Sequence, residues 1–124
     1  MERSVARQPE RRHVARLTIP SQLGSPGLES QEVRFVDLSR EGARVEHPDP
    51  LHAGLMCLMD LPPALGRGSL SGRIVWSKLH RTEQSLDGER RRYFQSGLTW
   101  AELTPGQLGA LVAALDILKA SQKG

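Results

Sequence analysis

Cysteine and aromatic residues are scarce in this sequence. Of its 124 residues, only Cys57 is a cysteine, and aromatic residues make up 4%. A single cysteine excludes an internal disulfide and any paired-cysteine site for metal or redox chemistry. So few rings also argue against a base-stacking platform for single-stranded nucleic acid.

Long hydrophobic runs are absent as well. The longest uncharged apolar stretch near either end is 108–115, whereas a membrane-spanning helix needs about 20 residues. No apolar segment follows the charged start, so we expect no signal peptide and a cytoplasmic location. A chain of this length, 38% apolar and 25% charged, is typical of one soluble globular domain.

Positive charge is carried mainly by arginine and is concentrated at the N-terminus. The chain has 14 arginines and 3 lysines, and its net charge is +3. The first sixteen residues carry this whole excess, so the remainder is neutral, which argues against a nucleic-acid binder. Arginine favours bidentate contacts with phosphate or guanine, although a coding bias toward arginine would explain its abundance equally well. We predict that residues 1–15 form a flexible basic arm.

Short alternating segments separated by glycine and proline predict six β-strands. The predicted strands are 16–20, 32–38, 43–46, 55–61, 70–78 and 93–100. In the second strand, Val33 and Phe35 are expected on one face, with Asp37 as a further candidate for it. In the fifth, Ile74 and Trp76 are expected to face the same way, and Trp76 is expected in the core. The connection 21–30 is predicted to be a loop, and 82–92 to be charged and exposed.

The end of the chain changes to a helical period. Thr104 and Gln107 form a capping box, with a proline at the first helical position. A stripe at helical spacing follows and comprises Leu108, Leu111, Val112, Leu115 and Leu118. The pattern predicts a helix over 105–120. The expected fold class is therefore all-β with one helix: a small six-stranded antiparallel β-barrel over 11–120 with a C-terminal α-helix packed on it.

Two short motifs stand at the ends of predicted strands. An Arg-x-x-x-Arg pair, Arg12 and Arg16, abuts the first strand. An Asp-x-Ser-x-x-Gly turn, Asp37, Ser39 and Gly42, lies between the second and third strands, 21 positions after Arg16. Each motif alone is weak, and Asp37 and Ser39 could simply close a turn through the backbone. Together, with a strand after each, they are much more specific.

On these residues the chain resembles the PilZ domain family, bacterial receptors for cyclic di-GMP. The segments RHVAR and DLSREG match the two parts of the family signature, and GARV, HAGLMCLMDLP, GRIVW and QSGLTWAELTPGQLGAL continue the likeness over about 11–118. Trp100 stands where the family commonly has phenylalanine. The resemblance implies a receptor without catalytic activity that needs no metal or cofactor.

The resemblance also implies a role for each motif residue. Arg12 and Arg16 are suited to phosphate oxygens and the Hoogsteen edge of guanine, because guanidinium pairs with both. The carboxylate of Asp37 accepts from the N1–H and N2–H donors of guanine, and the Ser39 hydroxyl can donate or accept beside it. Gly42 supplies a backbone angle or a close approach that a side chain would block.

Arg11 directly precedes the motif and has two open interpretations. In proteins similar to this one, an arginine there favours a stacked dimer of the ligand; otherwise it is a solvated arm residue. The resemblance leaves a homodimer open and implies an unidentified protein target, through which the receptor regulates motility, pili, exopolysaccharide or similar outputs. The alternative is a PilZ-like interaction adaptor whose ligand binding is weak or lost.

Other candidate sites are weaker. His47, Asp49 and His52 lie in a proline-rich segment without a fourth metal ligand. Cys57 lies in an apolar strand and is expected to be an inert core residue. No local set of nucleophile, base and acid residues indicates an enzyme.

Overall fold

The described part of the chain folds as a closed barrel with one helix at its C-terminal end. The computed structural model describes residues 14–20 and 28–122. Its elements are β1 Val14–Pro20, β2 Leu28–Leu38, β3 Gly42–His47, β4 Met56–Asp60, a short 3-10 helix Pro63–Leu65, β5 Ser69–Gln84, β6 Arg90–Trp100 and α1 Pro105–Gln122. All neighbouring strands pair antiparallel, in the order β1-β2-β3-β6-β5-β4 around the barrel. The predicted fold class is confirmed.

Alternation along the strands places the core inside the barrel. Residues from all six strands are buried there, among them Leu17, Val33, Val45, Met59, Ile74 and Leu98. Cys57 belongs to this core, and burial raises the pKa of its thiol to about 11. The expected burial of Cys57 is confirmed, and such a thiol carries almost no reactive thiolate at neutral pH.

Two β-bulges overturn the predicted facing of two side chains. One register irregularity lies between Phe35 and Asp37, and another between Ile74 and Trp76. An extra residue in a strand reverses the alternation that follows it. Asp37 is therefore exposed while Phe35 is buried, and Trp76 lies over the backbone of Gly97 outside the barrel while Ile74 fills the core.

Four of the strands extend well beyond their predicted ranges. β1 begins at Val14, so Val14 and Ala15 belong to the barrel and not to the predicted arm. β2 begins at Leu28, inside the predicted loop. β5 and β6 extend through most of 82–92 as a long hairpin that closes at a turn over 85–89. Its charged residues are compatible with a strand because both of its faces are exposed there.

The helix α1 is anchored at its start and buried along a narrow line. Gln107 donates its backbone N–H to Thr104 Oγ1 at 3.1 Å, and its side chain accepts from the Thr104 N–H at 2.9 Å, which confirms the capping box. The Gln107 amide also donates to the Ser69 carbonyl of β5 at 3.0 Å.

The apolar stripe of α1 is narrower than the sequence predicted. Leu111 is fully buried, whereas Leu108 and Val112 are 46% and 38% exposed. Leu115 and Leu118 are half-buried against the core. Over residues 14–20 and 28–122, α1 is the one long helix, and it lacks the continuous apolar length that a membrane span requires.

Candidate functional site

The turn between β2 and β3 is closed by Ser39. The Ser39 N–H donates to the Gly42 carbonyl at 2.8 Å, and Ser39 Oγ accepts from the N–H groups of Glu41 and Gly42, both at 3.2 Å. The interpretation that Ser39 closes the turn through the backbone is therefore correct. Because its oxygen already accepts two hydrogen bonds, the hydroxyl is better placed to donate to a ligand than to accept from one. Its proton has only a long contact of 3.3 Å with the Gly42 carbonyl in competition.

Gly42 is required by a close approach of two strands. A Cβ atom at this position would lie 1.8 Å from the carbonyl oxygen of Leu98 on β6. Gly42 is not among the glycines with positive φ, so a left-handed backbone angle is not the reason. Of the two roles that the sequence left open for Gly42, the structure supports the close approach.

The turn is fastened to the end of β6 by three hydrogen bonds. The Glu41 carbonyl accepts from the Trp100 N–H at 2.9 Å and from Thr99 Oγ1 at 3.2 Å. The Ser39 carbonyl accepts from the indole Nε1–H of Trp100 at 3.0 Å. The indole donor is a feature that sequence reasoning missed, because Trp100 was considered only as a replacement for another aromatic core residue.

Asp37 is paired with Arg44 on the outer face of the barrel. Arg44 Nε donates to Asp37 Oδ2 at 2.7 Å, Nη2 donates to the same oxygen, and both side chains are about half exposed. This hydrogen bond, together with the charge of Asp37, raises the pKa of the Arg44 guanidinium above its ordinary value. Within the described residues Asp37 Oδ1 accepts no hydrogen bond. Sequence reasoning did not single out Arg44. A signal was available, because Arg44 lies two positions after Gly42 on β3 and alternation places these two residues on the same face of the strand.

Arg16 lies on the outer face of β1, away from the turn. Its guanidinium donates to Ser30 Oγ at 3.1 Å and lies 3.7 Å from the Glu32 carboxylate. Arg16 pairs with Glu32 on β2, five residues before Asp37, which corresponds to roughly 16 Å along the strand. The structure thus joins Asp37, Ser39 and Gly42 in one turn and places Arg16 separately. Arg11 and Arg12 lie outside the described residues.

A cavity of about 750 Å³ borders the turn on the side of α1. Its polar rim includes Asp37 and Ser39, and its apolar wall includes Phe35, Leu115 and Leu118. Three cationic residues and two carboxylates line it: Arg34, Arg40 and Lys119, with Asp37 and Glu41. The cavity therefore combines apolar surface with a small excess of positive charge, which suits a planar base attached to a phosphate.

A second charged group on the same outer face involves Glu46. Its carboxylate is 6% exposed and lies 2.9 Å from Arg81 and 3.3 Å from Arg34. Burial acts to raise the pKa of Glu46, but the hydrogen bonds and charges of Arg81 and Arg34 outweigh it, so the pKa lies below its ordinary value. Arg34 also lines the 750 Å³ cavity, so this ion-pair network borders the turn. Glu46 carries one negative charge against two guanidinium groups, so it pairs with both arginines and stabilises the outer face without cancelling the charge of both.

His47 and Ser96 form a pair that superficially suggests catalysis. His47 Nε2 lies 2.7 Å from Ser96 Oγ, and Nδ1 lies 2.6 Å from the Asp49 carbonyl. Both side chains are buried, with exposures of 1% and 0%, and both ring nitrogens of His47 already have partners within the protein. Burial lowers the pKa of His47, which keeps the ring neutral at physiological pH. Among residues 14–20 and 28–122, no group of His, Cys, Asp or Glu gathers as a metal site.

Comparison with known proteins gives a consistent result. The family model of the PilZ domain matches residues 6–116. Among curated proteins, no sequence matches the chain significantly. A similar solved structure is "PilZ domain with c-di-GMP of YcgR from Escherichia coli", with 12% identity, a TM-score of 0.60, and 89% of this chain and 86% of that chain covered.

Two structures of MrkH from K. pneumonia are also similar. The apo form has 16% identity and a TM-score of 0.61 over 89% of this chain and 47% of MrkH. A second crystal form has 17% identity and a TM-score of 0.63 over 96% of this chain and 53% of MrkH. The chain thus spans about half of MrkH. At these identities the likeness supports the barrel fold.

Proposed function

Because this chain belongs to the PilZ domain family, we propose that it is a receptor for cyclic di-GMP and that the ligand binds over the β2–β3 turn. The observation that carries the proposal is the turn itself. Its three motif residues lie in one hydrogen-bonded turn, with a carboxylate and a hydroxyl group at the surface and a cavity beside them. The similar YcgR domain, whose structure is described with c-di-GMP, supports the choice of ligand.

Asp37 is suited to recognise the Watson–Crick edge of guanine. Guanine presents two adjacent donors, N1–H and N2–H, and a carboxylate can accept both. Arg44 holds Asp37 through Oδ2, so we propose that guanine engages the carboxylate at Oδ1 or displaces Arg44 from it. Ser39 would donate its proton to a ligand oxygen in the same complex.

The arginines of the other motif would supply the charge. Arg11 and Arg12 precede β1 in the sequence, and the first residue of that strand is Val14. Val14 pairs with Arg34, which is three positions before Asp37. Arg12, and Arg11 before it, are thus attached where they could reach a ligand on the turn, and Arg16 would meet its far end. Each such contact to a dianionic ligand is a charge-assisted hydrogen bond.

We propose that ligand binding is read out as a change in conformation or in binding to a partner protein. The cavity joins the turn to Leu115, Leu118 and Lys119 of α1, so a ligand that enters it would contact both elements. The regulated output, whether motility, pili or exopolysaccharide, follows from the partner. The Asp37–Arg44 pair favours one second candidate, an adaptor that uses the same face without a ligand, since the carboxylate already has an intramolecular partner.

Calorimetric titration of the purified protein tests the proposal. Cyclic di-GMP should bind at least a hundredfold more tightly than cyclic di-AMP, a difference of about 2.7 kcal/mol. Adenine lacks the N2 amino group and presents N6–H2 where guanine has O6, so it mismatches Asp37 and the arginines. Equal affinities would contradict the role of Asp37, and no binding of either would favour the adaptor.

Alanine variants of Arg12 and Arg16 separate recognition from folding. Each should weaken cyclic di-GMP binding about tenfold to a hundredfold and leave the melting temperature of the free protein nearly unchanged. Arg16 is 52% exposed on its side chain, so it contributes little to the core. Loss of both the fold and binding would show that these arginines are structural.

A further inference from the structure

The indole of Trp100 makes the one side-chain contact that holds the Ser39 carbonyl within the described residues. Its Nε1–H donates to Ser39 O at 3.0 Å across 61 positions of sequence. We propose that Trp100 is a positioning residue for the ligand site: its indole N–H holds the β2–β3 turn in the conformation that binds ligand. The ligand-binding test of this inference rests on the proposed function, whereas the hydrogen-exchange test rests on the geometry alone.

The other two hydrogen bonds between the turn and β6 depend less on the residue type at position 100. The Glu41 carbonyl is held by the backbone N–H of Trp100, which any residue except proline would supply. The Thr99 hydroxyl adds a second bond to the same carbonyl. The Ser39 carbonyl, by contrast, depends on the indole, because phenylalanine at position 100 would keep an aromatic ring and lose the donor. The residue type at this position therefore decides whether the Ser39 carbonyl has a side-chain donor.

The ring of Trp100 also connects the turn to the core. It is half-buried against the barrel core, and a Cβ on Gly72 of β5 would lie 3.4 Å from its Cε3. An anchor fixed in this way loses little freedom when a ligand binds. Holding a site in its bound conformation beforehand lowers the entropic cost of binding. Trp100 should therefore contribute to affinity without touching the ligand.

Amide hydrogen exchange of the free protein tests the positioning without any ligand. Trp100→Phe should speed exchange at the amides of Ser39, Glu41 and Gly42 several-fold more than at the amides of residues 43–47 in β3 and 90–98 in β6. The matched control is Ser85→Ala, which removes the 3.2 Å hydrogen bond from Ser85 Oγ to the Glu89 carbonyl at the remote β5–β6 turn. This control should leave the exchange of residues 39–42 unchanged. A uniform acceleration throughout the barrel in Trp100→Phe would mean that the residue is only structural and would overturn the inference.

Cyclic di-GMP titration provides the second arm. Trp100→Phe should weaken binding about threefold to tenfold, as expected for the loss of one neutral hydrogen bond, and Ser85→Ala should bind as the wild type does. If the wild type binds cyclic di-GMP and Trp100→Phe binds it with the same affinity, the inference is overturned and the proposed function still stands. If wild type does not bind, the proposed function fails, and the exchange comparison still decides whether Trp100 holds the turn.

The wild-type indole resonance removes the dependence on a variant that could fail to fold. The Nε1–Hε1 signal of Trp100, assigned in the wild-type protein through its connection to the Trp100 backbone amide, should be protected from exchange and should move on addition of cyclic di-GMP. A signal that exchanges freely in the free protein would overturn the inference.

Discussion

Two turns of this barrel use similar residues for different purposes. The β2–β3 turn and the β5–β6 turn each contain a serine that hydrogen-bonds the backbone, a nearby aspartate and a glycine. In the first, glycine is needed because a Cβ would meet the Leu98 carbonyl. In the second, Gly88 has φ of +88° with open space around it, so glycine supplies the backbone angle.

The surroundings of the two turns differ more than the turns themselves. The β2–β3 turn is fastened to β6, faces a 750 Å³ cavity, and has its aspartate held by Arg44 from the next strand. The β5–β6 turn is held by its own residues: Ser85, Asp87 and Glu89 bond one another. A serine turn becomes a candidate site when the rest of the fold fixes it and leaves ligand-facing groups beside it.

Substitution of the glycine in each turn by alanine should give the largest difference between the two turns, measured as the loss in free energy of unfolding. Gly42→Ala should lower the free energy of unfolding by more than about 3 kcal/mol, because a backbone atom of β6 must move. Gly88→Ala should cost about 1–2 kcal/mol for a strained angle in open space. Urea unfolding of both variants measures the difference. Equal losses would mean that β6 does not constrain the first turn.

The two aspartates should differ in ligand binding. Asp37→Ala removes a charged acceptor from the proposed site and should weaken cyclic di-GMP binding about tenfold to a hundredfold. Asp87→Ala, at the remote turn, is the control and should bind as wild type does. Calorimetry with melting curves for both variants checks this. A similar affinity for both variants would remove Asp37 from the site.

The two serines should differ modestly in stability. Ser39→Ala leaves the N–H groups of Glu41 and Gly42 without their acceptor and should cost about 1 kcal/mol. Ser85→Ala, on an exposed hairpin end, should stay within about 0.5 kcal/mol of wild type. Urea midpoints at equal slope give both values. The reverse order would show that the hairpin end, and not the β2–β3 turn, is the better ordered.

The smallest expected effect is a pH dependence of the β5–β6 turn. The hydrogen bond from Ser85 lowers the pKa of Asp87 below its ordinary value of 3.8. The carboxylate therefore stabilises this turn above pH 3.8, and that contribution is lost as the pH falls through the lowered pKa. An NMR titration of the Asp87 side chain should show the shift, and Ser85→Ala should return the pKa toward 3.8. If the pKa of Asp87 in the wild-type protein is not lowered, this prediction is wrong.

The fold was predictable because its signals are local. Strand alternation, turn residues and the capping box at Thr104 and Gln107 each depend on neighbours in sequence. The strand faces on which Asp37 and Trp76 lie were not predictable, because a bulge is fixed by pairing with strands remote in sequence. The width of the buried helical stripe was not predictable either, because Leu108 and Val112 satisfy the helical period but remain exposed.

The β2–β3 turn was predictable in its motif residues and not in the residues that contact them from other strands. Asp37, Ser39 and Gly42 are close in sequence, so their spacing alone places them in one turn. Arg44 and Trp100 act on that turn through cross-strand contacts, one from β3 and one from β6. Such contacts depend on strand order and register, which local patterns do not specify.

Amide chemical shifts during a titration with cyclic di-GMP show whether the ligand binds at the β2–β3 turn. In an ¹⁵N–¹H spectrum of the protein, we expect saturable shifts at Ser39, Glu41 and Gly42 and at the Trp100 indole. The amides of Gly88 and Glu89 should stay in place as an internal control. Shifts confined to the β5–β6 turn, or a spectrum unchanged at ligand concentrations well above those of the protein, would contradict the account.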